Sequence, residues 1–466
     1  MISLRPPLTI ALLTYNRLRY LKEAVQAIID QSFGDFELLI LDNCSTDGTM
    51  EYLLGLKDSR IRYVRNAPGT PVQFNCVSAW HIASGHRVIA THDDDIMERE
   101  MLARQMRFLD EHPEARLVWV GISDIDEDGK PIGEPPSAAE SRLFAPGEYI
   151  ASFLKERLWP MPSGVMFERA QLPRSYLERF YFCTRRPNKT GNPLDEAGIE
   201  DVLLPARINR RHAIGYLGAP LLRRRIHTAQ FTHTASLSRP GIHLYRDLKK
   251  IARGIPGQQA QPLHFDACIA RFEIQEAITC NTGERVRKSC LEKARRLSAR
   301  LQDNAGNAPE ACLAGLPVLL LDHLLDPGRS LRWLDGLSAD GHNSATRKLL
   351  AWAKACAPPP EASVLAPLAG KRIILFGSAF IAALLILEAR RTGGAVVACV
   401  DSNSNRQGRT LLGIPIRPPA WMRDEAGADD LVVITSERDH EHYIASIIRQ
   451  NLRQPATIES WKNLIG

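Results

Sequence analysis

The chain of 466 residues is 44% hydrophobic and 24% charged, which is typical of a globular protein with room for two or three domains. A net charge of +6 suits anionic ligands or a membrane surface, but the sequence has no zinc-finger spacing and no RNA-recognition signature, so we expect no nucleic acid partner. Nine dispersed cysteines without a CxxC pair, no secretory signal and no long apolar run predict a cytoplasmic protein with at most peripheral membrane contact.

Strand and helix patterns alternate over the first 120 residues. We predict strands at Thr9–Thr14, Glu37–Asp42, Ile61–Val64, Val88–Thr91 and Leu117–Val120. We predict helices at Tyr20–Asp30, Thr49–Leu56 and Met101–His112. This alternation indicates an α/β domain with a largely parallel sheet covered by helices on both faces. Ligands of such sheets bind at the carboxyl ends of the strands.

The chain beyond residue 140 changes character twice. Residues 140–240 are irregular and rich in Pro and Arg. A helical pattern follows to residue 356, with Leu244, Leu248 and Ile251 at i, i+4 and i+7, and with Val318–Leu325 as a further helix whose first turn suits Pro317.

A proline-rich segment, Ala357–Pro367, reads as a linker to a last α/β region. That region has strand patterns at Lys371–Phe376, Val396–Asp401 and Asp430–Thr435. We therefore predict three domains, at residues 1–240, 241–366 and 367–466, the last of them Rossmann-like.

Three adjacent carboxylates, Asp93–Asp95 in "THDDDIM", follow the predicted fourth strand. Like charges repel, so such a run needs an explanation. One explanation is a solvated turn in which an Asp caps a helix starting near Glu98. The other is a divalent cation, because Mg²⁺ and Mn²⁺ prefer hard oxygen ligands.

Other polar residues lie where predicted elements begin or end. Asp42 ends the second strand, and Asp47-Gly48-Thr49 is typical of a turn and helix cap. Glu200 and Asp201 precede an apolar helical run, where first-turn acids favoured by the helix dipole are the structural alternative to catalysis.

The order and spacing of these motifs over the first ~235 residues resemble family 2 inverting glycosyltransferases of the GT-A fold. The matching segments are "TYNR", "LDNCSTDGT", "FNCVSAWHIASGHRVIATHDDDIM", "PSGVMFER", "GIEDVLLPARI" and "RIHTAQFT". The resemblance implies a nucleoside diphosphate sugar donor, with a Mn²⁺ or Mg²⁺ ion on its diphosphate, and a glycan or lipid-linked acceptor.

The resemblance also implies roles for residues of this chain. Asp201 would be the catalytic base, and Asp94, Asp95 and His227 would be the metal ligands. We assign donor binding to Thr14, Tyr15, Asn16, Arg17, Asp42, Asn43, Asp93, Arg225 and His227. One departure is that the family's first acid falls on His92, so that the literal Asp-x-Asp, Asp93 to Asp95, lies one residue out of register.

The last α/β region has only Gly377 of a dinucleotide-binding glycine set, because Ala379 and Ala382 occupy the other two positions. Asp401 lies at the spacing of a ribose-binding acid. The eroded glycines favour a packing or assembly role over cofactor binding.

The sequence and the resemblance thus predict a metal-dependent inverting glycosyltransferase that acts in surface polysaccharide or glycoconjugate synthesis. The resemblance implies that its donor is a UDP-sugar. The alternatives are a sugar-nucleotide nucleotidyltransferase, although "LLTYNRLRYL" lacks the expected glycines, and an inactive nucleotide-sugar-binding scaffold. A dehydrogenase acting through the last region is disfavoured by the missing glycines. A homo-oligomer is compatible with the sequence.

Overall fold

The computed structural model describes residues 5–70, 72–133, 138–156, 158–172, 200–227, 238–255, 262–279, 284–326, 331–356, 368, 370–437 and 439–465. The predicted linker 357–367 and the ends of two sequence motifs, Gly198-Ile199 and Thr228–Thr232, lie outside the described residues. The chain divides into two compact units, one around a first sheet and the other around a bundle of helices and a second sheet.

The first unit is built on nine strands. They are β1 (Leu8–Thr14), β2 (Phe36–Asp42), β3 (Ile61–Arg65), β4 (Arg87–His92), β5 (Ile96–Met97), β6 (Ala115–Ile125), β7 (Arg142–Phe144), β8 (Val165–Glu168) and β9 (Ala213–Arg225). Their order is β3-β2-β1-β4-β8-β6-β9-β5, with β7 paired to β9. The first four are parallel neighbours, whereas β8 runs antiparallel to both β4 and β6.

Six helices accompany this sheet in the described part of the first unit. They are α1 (Leu18–Ile29), α2 (Thr49–Gly55), α3 (Val72–Ile82), α4 (Met101–Glu111), α5 (Glu148–Glu156) and α6 (Glu200–Asn209). All seven residues of β1 are buried, as expected for a central strand of a parallel sheet that is covered on both faces. The predicted turn before α2 is present, because Asp47 Oδ1 accepts hydrogen bonds from the amide and hydroxyl of Thr49, whereas the N-cap position itself is Gly48 and has no capping side chain.

The second unit has nine helices and six strands in its described part. The helices are α7 (Ser238–Ala252), α8 (Pro262–Thr279), α9 (Glu284–Asp303), α10 (Pro309–Leu325), α11 (Ser344–Ala355), α12 (Phe380–Thr392), α13 (Met422–Glu425), α14 (Glu441–Gln450) and α15 (Trp461–Leu464). The strands are β10 (Arg372–Phe376), β11 (Ala395–Val400), β12 (Thr410–Leu411), β13 (Ile414–Arg417), β14 (Leu431–Ile434) and β15 (Thr457–Ser460). Their order is β12-β13-β11-β10-β14-β15.

One hydrophobic core runs through the helices and the second sheet of this unit. It contains Leu263 of α8, Leu316 of α10, Trp352 of α11, Leu384 of α12 and Leu375 of β10. The predicted boundaries at residues 240 and 366 stay predictions. Within this unit, the helical segment and the second sheet bury apolar surface against each other.

The predicted fold class is confirmed: an α/β sheet, a helical middle segment and a second α/β sheet follow one another. The prediction for Pro317 is wrong, because α10 begins at Pro309 and contains Pro317 in its interior. An interior proline removes one helical hydrogen bond, and burial of all residues from Ala311 to Leu324 except Ala314 offsets that loss. No helix in the described part of the chain combines the length and apolarity needed to cross a membrane.

Asn209, the last residue of α6, ties this helix to the segment around β7 and α5. Its side-chain amide donates hydrogen bonds to the carbonyls of Ala145 at 2.9 Å and His212 at 3.1 Å. Its oxygen accepts a hydrogen bond from the Tyr149 amide at 2.9 Å. Because Asn209 is only 1% exposed, these backbone groups have little access to water as a substitute partner.

We therefore expect Asn209→Ala to lower the free energy of unfolding by about 2–3 kcal/mol, since several buried polar groups lose their partner. Urea unfolding followed by near-ultraviolet circular dichroism measures the loss. Asn304→Ala is the control, because this exposed Asn makes one local hydrogen bond, to the Arg300 carbonyl, and its removal should cost less than ~0.5 kcal/mol. Equal losses in the two variants would contradict the role of Asn209.

Candidate active site

Three neighbouring parallel strands, β1, β2 and β4, end side by side at one edge of the first sheet. Thr14 pairs with Asp42, and Leu13 pairs with His92, in the register of the sheet. The acidic run, Asp93–Asp95, therefore begins directly beside the end of β1. This is the edge at which open α/β sheets bind ligands.

Asp93 fastens the acidic run to the end of β1. One carboxylate oxygen accepts hydrogen bonds from Thr14 Oγ1 at 2.8 Å and from the Tyr15 amide at 3.2 Å. The other accepts from Arg17 Nη1 at 3.2 Å. Asp93 is 2% exposed, and these three donors compensate for burial of its charge. The structure thus brings together four residues that the sequence assigns to donor binding.

Asp94 lies between two cationic or protonatable side chains. Its Oδ2 atom accepts a hydrogen bond from Arg17 Nη1 at 2.9 Å and lies 3.1 Å from His227 Nε2. The His227 ring packs on Tyr20, with ring centroids 5.0 Å apart. The predicted pair Asp94 and His227 is therefore in direct contact, although 133 residues separate them in sequence.

A possible cation site is formed by His92, Asp94 and Asp95, whose ligand atoms all lie within 4.8 Å of one another. Two carboxylates and an imidazole are a donor set that fits Mn²⁺, and the carboxylates alone also suit Mg²⁺. His92, which stands where the family has its first acid, thus lies in one group with two of the predicted ligands, Asp94 and Asp95. His227 approaches the same group through Asp94.

The three carboxyl groups differ in their tendency to ionise. Burial first, and then the charge of Asp94, raises the pKa of Asp93 to about 6 and the pKa of Asp95 to about 6. Burial also opposes ionisation of Asp94, but the hydrogen bond from His227 and nearby positive charge outweigh it and lower the pKa of Asp94. Asp94 is therefore the member that most strongly keeps its negative charge.

Arg225, the last residue of β9, holds the acidic run from the other side. Its amide donates to Asp95 Oδ1 at 3.3 Å, and its Nε–H donates to the carbonyl of Asp94 at 3.2 Å. One Nη group reaches Glu23 Oε2 at 2.6 Å. The Arg225 side chain is fully buried, whereas that of Arg17 is 25% exposed. Contact of Arg225 with the donor stays a prediction, and its observed contacts position the run.

Asp42 is fully buried at the end of β2. Its two carboxylate oxygens accept hydrogen bonds from the Ser45 amide and from the Tyr63 hydroxyl, each at 2.8 Å. The side-chain amide of the neighbouring Asn43 donates a hydrogen bond to the carbonyl of Thr70 at 2.9 Å. Both residues shape the loop after β2.

Tyr15 and Asn16 form the loop after β1. Tyr15 is 54% exposed, so its ring is accessible to a ligand. Asn16 adopts a positive φ of 50°, and its Oδ1 atom accepts a hydrogen bond from the Thr46 amide at 2.8 Å. This bond, together with one from the Asn16 amide to Ser45 Oγ, joins the loops after β1 and β2.

Asp201, the predicted base, lies in the first turn of α6 and is half-buried. Its Oδ2 atom lies 3.4 Å from the indole Nε1 of Trp159, which is within reach of a long hydrogen bond. The adjacent Gly198-Ile199 of its sequence motif lies outside the described residues, as does Gln230 of the His227 motif.

Comparison with known proteins now adds to this geometry. The family model described as "Glycosyl transferase family 2" matches residues 9–167, which extend from β1 into β8 and include the whole acidic run. Residues 9–167 are a glycosyl transferase family 2 domain. The predicted family and its GT-A fold are therefore confirmed for this part of the chain.

Two curated relatives and one solved structure illustrate the similarity. "Putative teichuronic acid biosynthesis glycosyltransferase TuaG" of Bacillus subtilis is 31% identical over 148 residues, which are 31% of this chain and 58% of TuaG. "Putative glycosyltransferase EpsE" of the same organism is 28% identical over 147 residues, 30% of this chain and 52% of EpsE. The crystal structure of Staphylococcus aureus TarS 1-349 with UDP-GlcNAc is 18% identical, covers 69% of this chain and 92% of that chain, and has a TM-score of 0.44.

The chain thus spans between half and three fifths of the curated relatives TuaG and EpsE. Asp201, Arg225 and His227 lie beyond the residues that the family 2 model matches. The match to the family model therefore gives no support to roles for these three residues.

Several contacts of the family 2 site are not predicted by the sequence. Ser163 donates a hydrogen bond from its hydroxyl to Asp95 Oδ2 at 2.5 Å, and Tyr63 donates to Asp42. Ser163 belongs to the segment "PSGVMFER", which carries part of the family resemblance, so that segment was the available signal. Nothing in the local pattern around Tyr63 or Trp159 distinguishes them from core aromatics.

The acid of the second sheet, Asp401, is engaged by its own chain. Its Oδ2 atom accepts hydrogen bonds from the Ser378 amide at 3.0 Å and the Ser378 hydroxyl at 2.5 Å, and Arg406 Nη1 lies 3.3 Å away. Its Oδ1 atom accepts from the Asn403 amide at 2.9 Å. These contacts are consistent with the predicted packing role of this region.

The raised pKa of Asp95 leads to a pH-dependent prediction for the protein without metal. Between about pH 3.8 and 6 the folded protein retains a proton at Asp95 that the unfolded chain has released, so folded stability falls as pH rises through this window. Near pH 5 a protonated Asp95 resembles Asn. The stability of Asp95→Asn relative to the unmodified protein should therefore be higher at pH 7 than at pH 5, because Asn does not ionise.

Chemical denaturation of both proteins in a metal chelator at the two pH values measures this difference. Asp58→Asn is the control, because the hydrogen bond from Arg60 lowers the pKa of Asp58 below its ordinary value of 3.8. Its effect on stability should be the same at pH 5 and pH 7. An effect of Asp95→Asn that does not change with pH would contradict the buried, proton-retaining environment.

Proposed function

We propose that the chain is a metal-dependent inverting glycosyltransferase that moves a sugar from a nucleoside diphosphate donor to an acceptor hydroxyl. A UDP-sugar is the first donor to test. The observation that carries the proposal is the acidic run of the family 2 domain, where His92, Asp94 and Asp95 gather their ligand atoms within 4.8 Å at the ends of parallel strands.

On the donor side, the loops after β1 and β2 would hold the nucleoside. The exposed ring of Tyr15 offers a surface on which a base can stack. Thr14, Asn16, Asp42 and Asn43 keep these loops in place through the hydrogen bonds described above.

The diphosphate would lie at the acidic run. A Mn²⁺ or Mg²⁺ ion held there by Asp94, Asp95 and a histidine, His92 or His227, would stabilise the negative charge that grows on the departing nucleoside diphosphate. Arg17 adds a fixed positive charge at the same place, since it contacts both Asp93 and Asp94 and remains partly exposed.

On the acceptor side, Asp201 would take the proton of the attacking hydroxyl. Displacement at an anomeric carbon passes through an oxocarbenium-like transition state, and one carboxylate acting as base gives inversion in a single step. The acceptor class that we propose is a surface glycan or a lipid-linked glycan, in line with the teichuronic acid biosynthesis named for TuaG.

The donor hypothesis is tested with a thermal-shift panel of nucleoside diphosphates and sugar nucleotides, with and without Mn²⁺, because a ligand of the folded state raises the unfolding midpoint. Asp94→Ala should abolish the Mn²⁺-dependent part of the shift and leave the fold intact, since Asp94 lies in a loop. Asp110→Ala is the control, because its carboxylate is exposed and pairs with Arg87. An unchanged Mn²⁺-dependent affinity in folded Asp94→Ala would refute this assignment.

The base hypothesis is tested with Asp201→Asn, which keeps the size of the side chain but cannot accept the proton. Turnover, measured as nucleoside diphosphate release, should fall roughly 10²–10⁴-fold, the usual contribution of a positioned proton acceptor. Donor affinity should stay the same, because the base acts on the acceptor.

Glu200→Gln is the matched control for the neighbouring acid and should retain turnover. If Asp201 only caps α6, its replacement should cost at most about 1 kcal/mol of stability and leave turnover nearly intact. Loss of turnover in Glu200→Gln with retention in Asp201→Asn would exchange the two roles. Donor binding without turnover in the unmodified protein would favour the inactive scaffold.

A further inference from the structure

An exposed tryptophan ends a row of aromatic side chains in the first unit. The rings of Trp119, Tyr149, Phe153 and Trp159 follow one another with centroid separations of 5.7, 6.1 and 5.6 Å. The first three are at most 1% exposed, whereas Trp159 is 40% exposed. The Trp159 ring thus packs on Phe153, which is fixed in the core, and keeps a substantial part of its surface exposed.

Trp159 is unusual among exposed apolar residues because of its polar neighbour. In the described part of the chain, two Phe, Tyr or Trp side chains are at least 40% exposed, Tyr15 and Trp159. Tyr15 lies on the donor loop, and Trp159 directs its indole N–H to Asp201 Oδ2 at 3.4 Å. Isolated exposed apolar residues need no explanation, but one that contacts a predicted catalytic base does.

The buried Tyr149 also lies near the Asp201 carboxylate. Burial first, and then the negative charge of Asp201, raises the pKa of the Tyr149 phenol well above its ordinary value. The Tyr149 hydroxyl has no hydrogen-bond partner among the described residues. The Asp201 carboxylate is thus close enough to act electrostatically on the buried Tyr149 phenol, and it lies 3.4 Å from the Trp159 indole Nε1.

We propose that Trp159 is the acceptor platform: its indole N–H positions the Asp201 carboxylate, and its exposed ring face binds the apolar C–H face of an acceptor sugar. The inference rests on the proposed function. A pyranose that lies on the indole would present a hydroxyl at the edge of the ring, where the carboxylate is held. Trp159 is thus a positioning residue for the base and a specificity residue for the acceptor.

Two substitutions distinguish the N–H contact with Asp201 from the ring surface that binds the sugar. Trp159→Phe keeps a ring but removes the N–H, and Trp159→Ala removes both. Ile82→Ala is the matched control, since Ile82 is a similarly exposed apolar residue, 38%, at the end of α3. The donor is the sugar nucleotide with the largest Mn²⁺-dependent thermal shift, and the acceptors are p-nitrophenyl glycosides of glucose, galactose, mannose, rhamnose and N-acetylglucosamine.

Donor hydrolysis without added glycoside measures the N–H contribution alone, because water needs no platform. It should fall about tenfold, and equally, in both Trp159 variants, since a hydrogen bond to a charged group is lost. In transfer to a glycoside, Trp159→Ala should also raise the acceptor KM about 3- to 10-fold, whereas Trp159→Phe should retain it because its ring remains. Donor KM and the unfolding midpoint should match those of Ile82→Ala.

The outcomes are distinguishable. Donor turnover by the unmodified protein with an unchanged acceptor KM in Trp159→Ala overturns this inference and leaves the proposed function standing. A general loss, with donor KM and unfolding midpoint changed in both Trp159 variants, shows a merely structural role and also overturns it. If the unmodified protein neither hydrolyses a sugar nucleotide nor transfers to any of the glycosides, the proposed function and this inference fail together.

Discussion

Mutual repulsion of three successive carboxylates is the constraint on which the first unit depends. Asp93, Asp94 and Asp95 are all at most 8% exposed, so water cannot screen them. The compensation comes from distant parts of the chain: Thr14 at the end of β1, Arg17 after it, Ser163 before β8, Arg225 at the end of β9 and His227 beyond it. The carboxylates can be buried only when the ends of these strands lie next to one another. The site therefore forms only when the sheet has formed.

The sequence is most informative about the parallel half of that sheet. The continuous apolar runs predict β1 and β2 to within one residue of their observed starts at Leu8 and Phe36, because a strand buried on both faces has no alternation to confuse its assignment. β8 and β9 are not predicted from their region, which is rich in Pro and Arg. Their pairing is set by partners far away in sequence, and a local pattern does not report such pairing.

The sequence identifies the residues of the site better than the contacts that each of them makes. The charge pattern points to Asp93–Asp95, and the structure places them in contact with Arg17 and His227, which the sequence assigns to the same site. The sequence does not indicate that the Asp42 carboxylate accepts hydrogen bonds from Tyr63 and the Ser45 amide, or that Arg225 is buried. These facts depend on which side chains fill the space above a strand end, and that is decided by tertiary packing rather than by motif spacing.

The distance in sequence between Asp95 and Arg225, 130 residues, has a consequence for synthesis of the protein. A ribosome adds about 5–20 residues per second, so the acidic strand end exists for on the order of ten seconds before the segment that neutralises it has been made. During that time Asp93 and Asp94 can already pair with Thr14 and Arg17, but Asp95 lacks its later partners, the Ser163 hydroxyl and the Arg225 amide. The nascent chain therefore completes this edge late, when β9 emerges. Until then the repelling carboxylates keep the edge solvated and prevent it from packing against apolar segments.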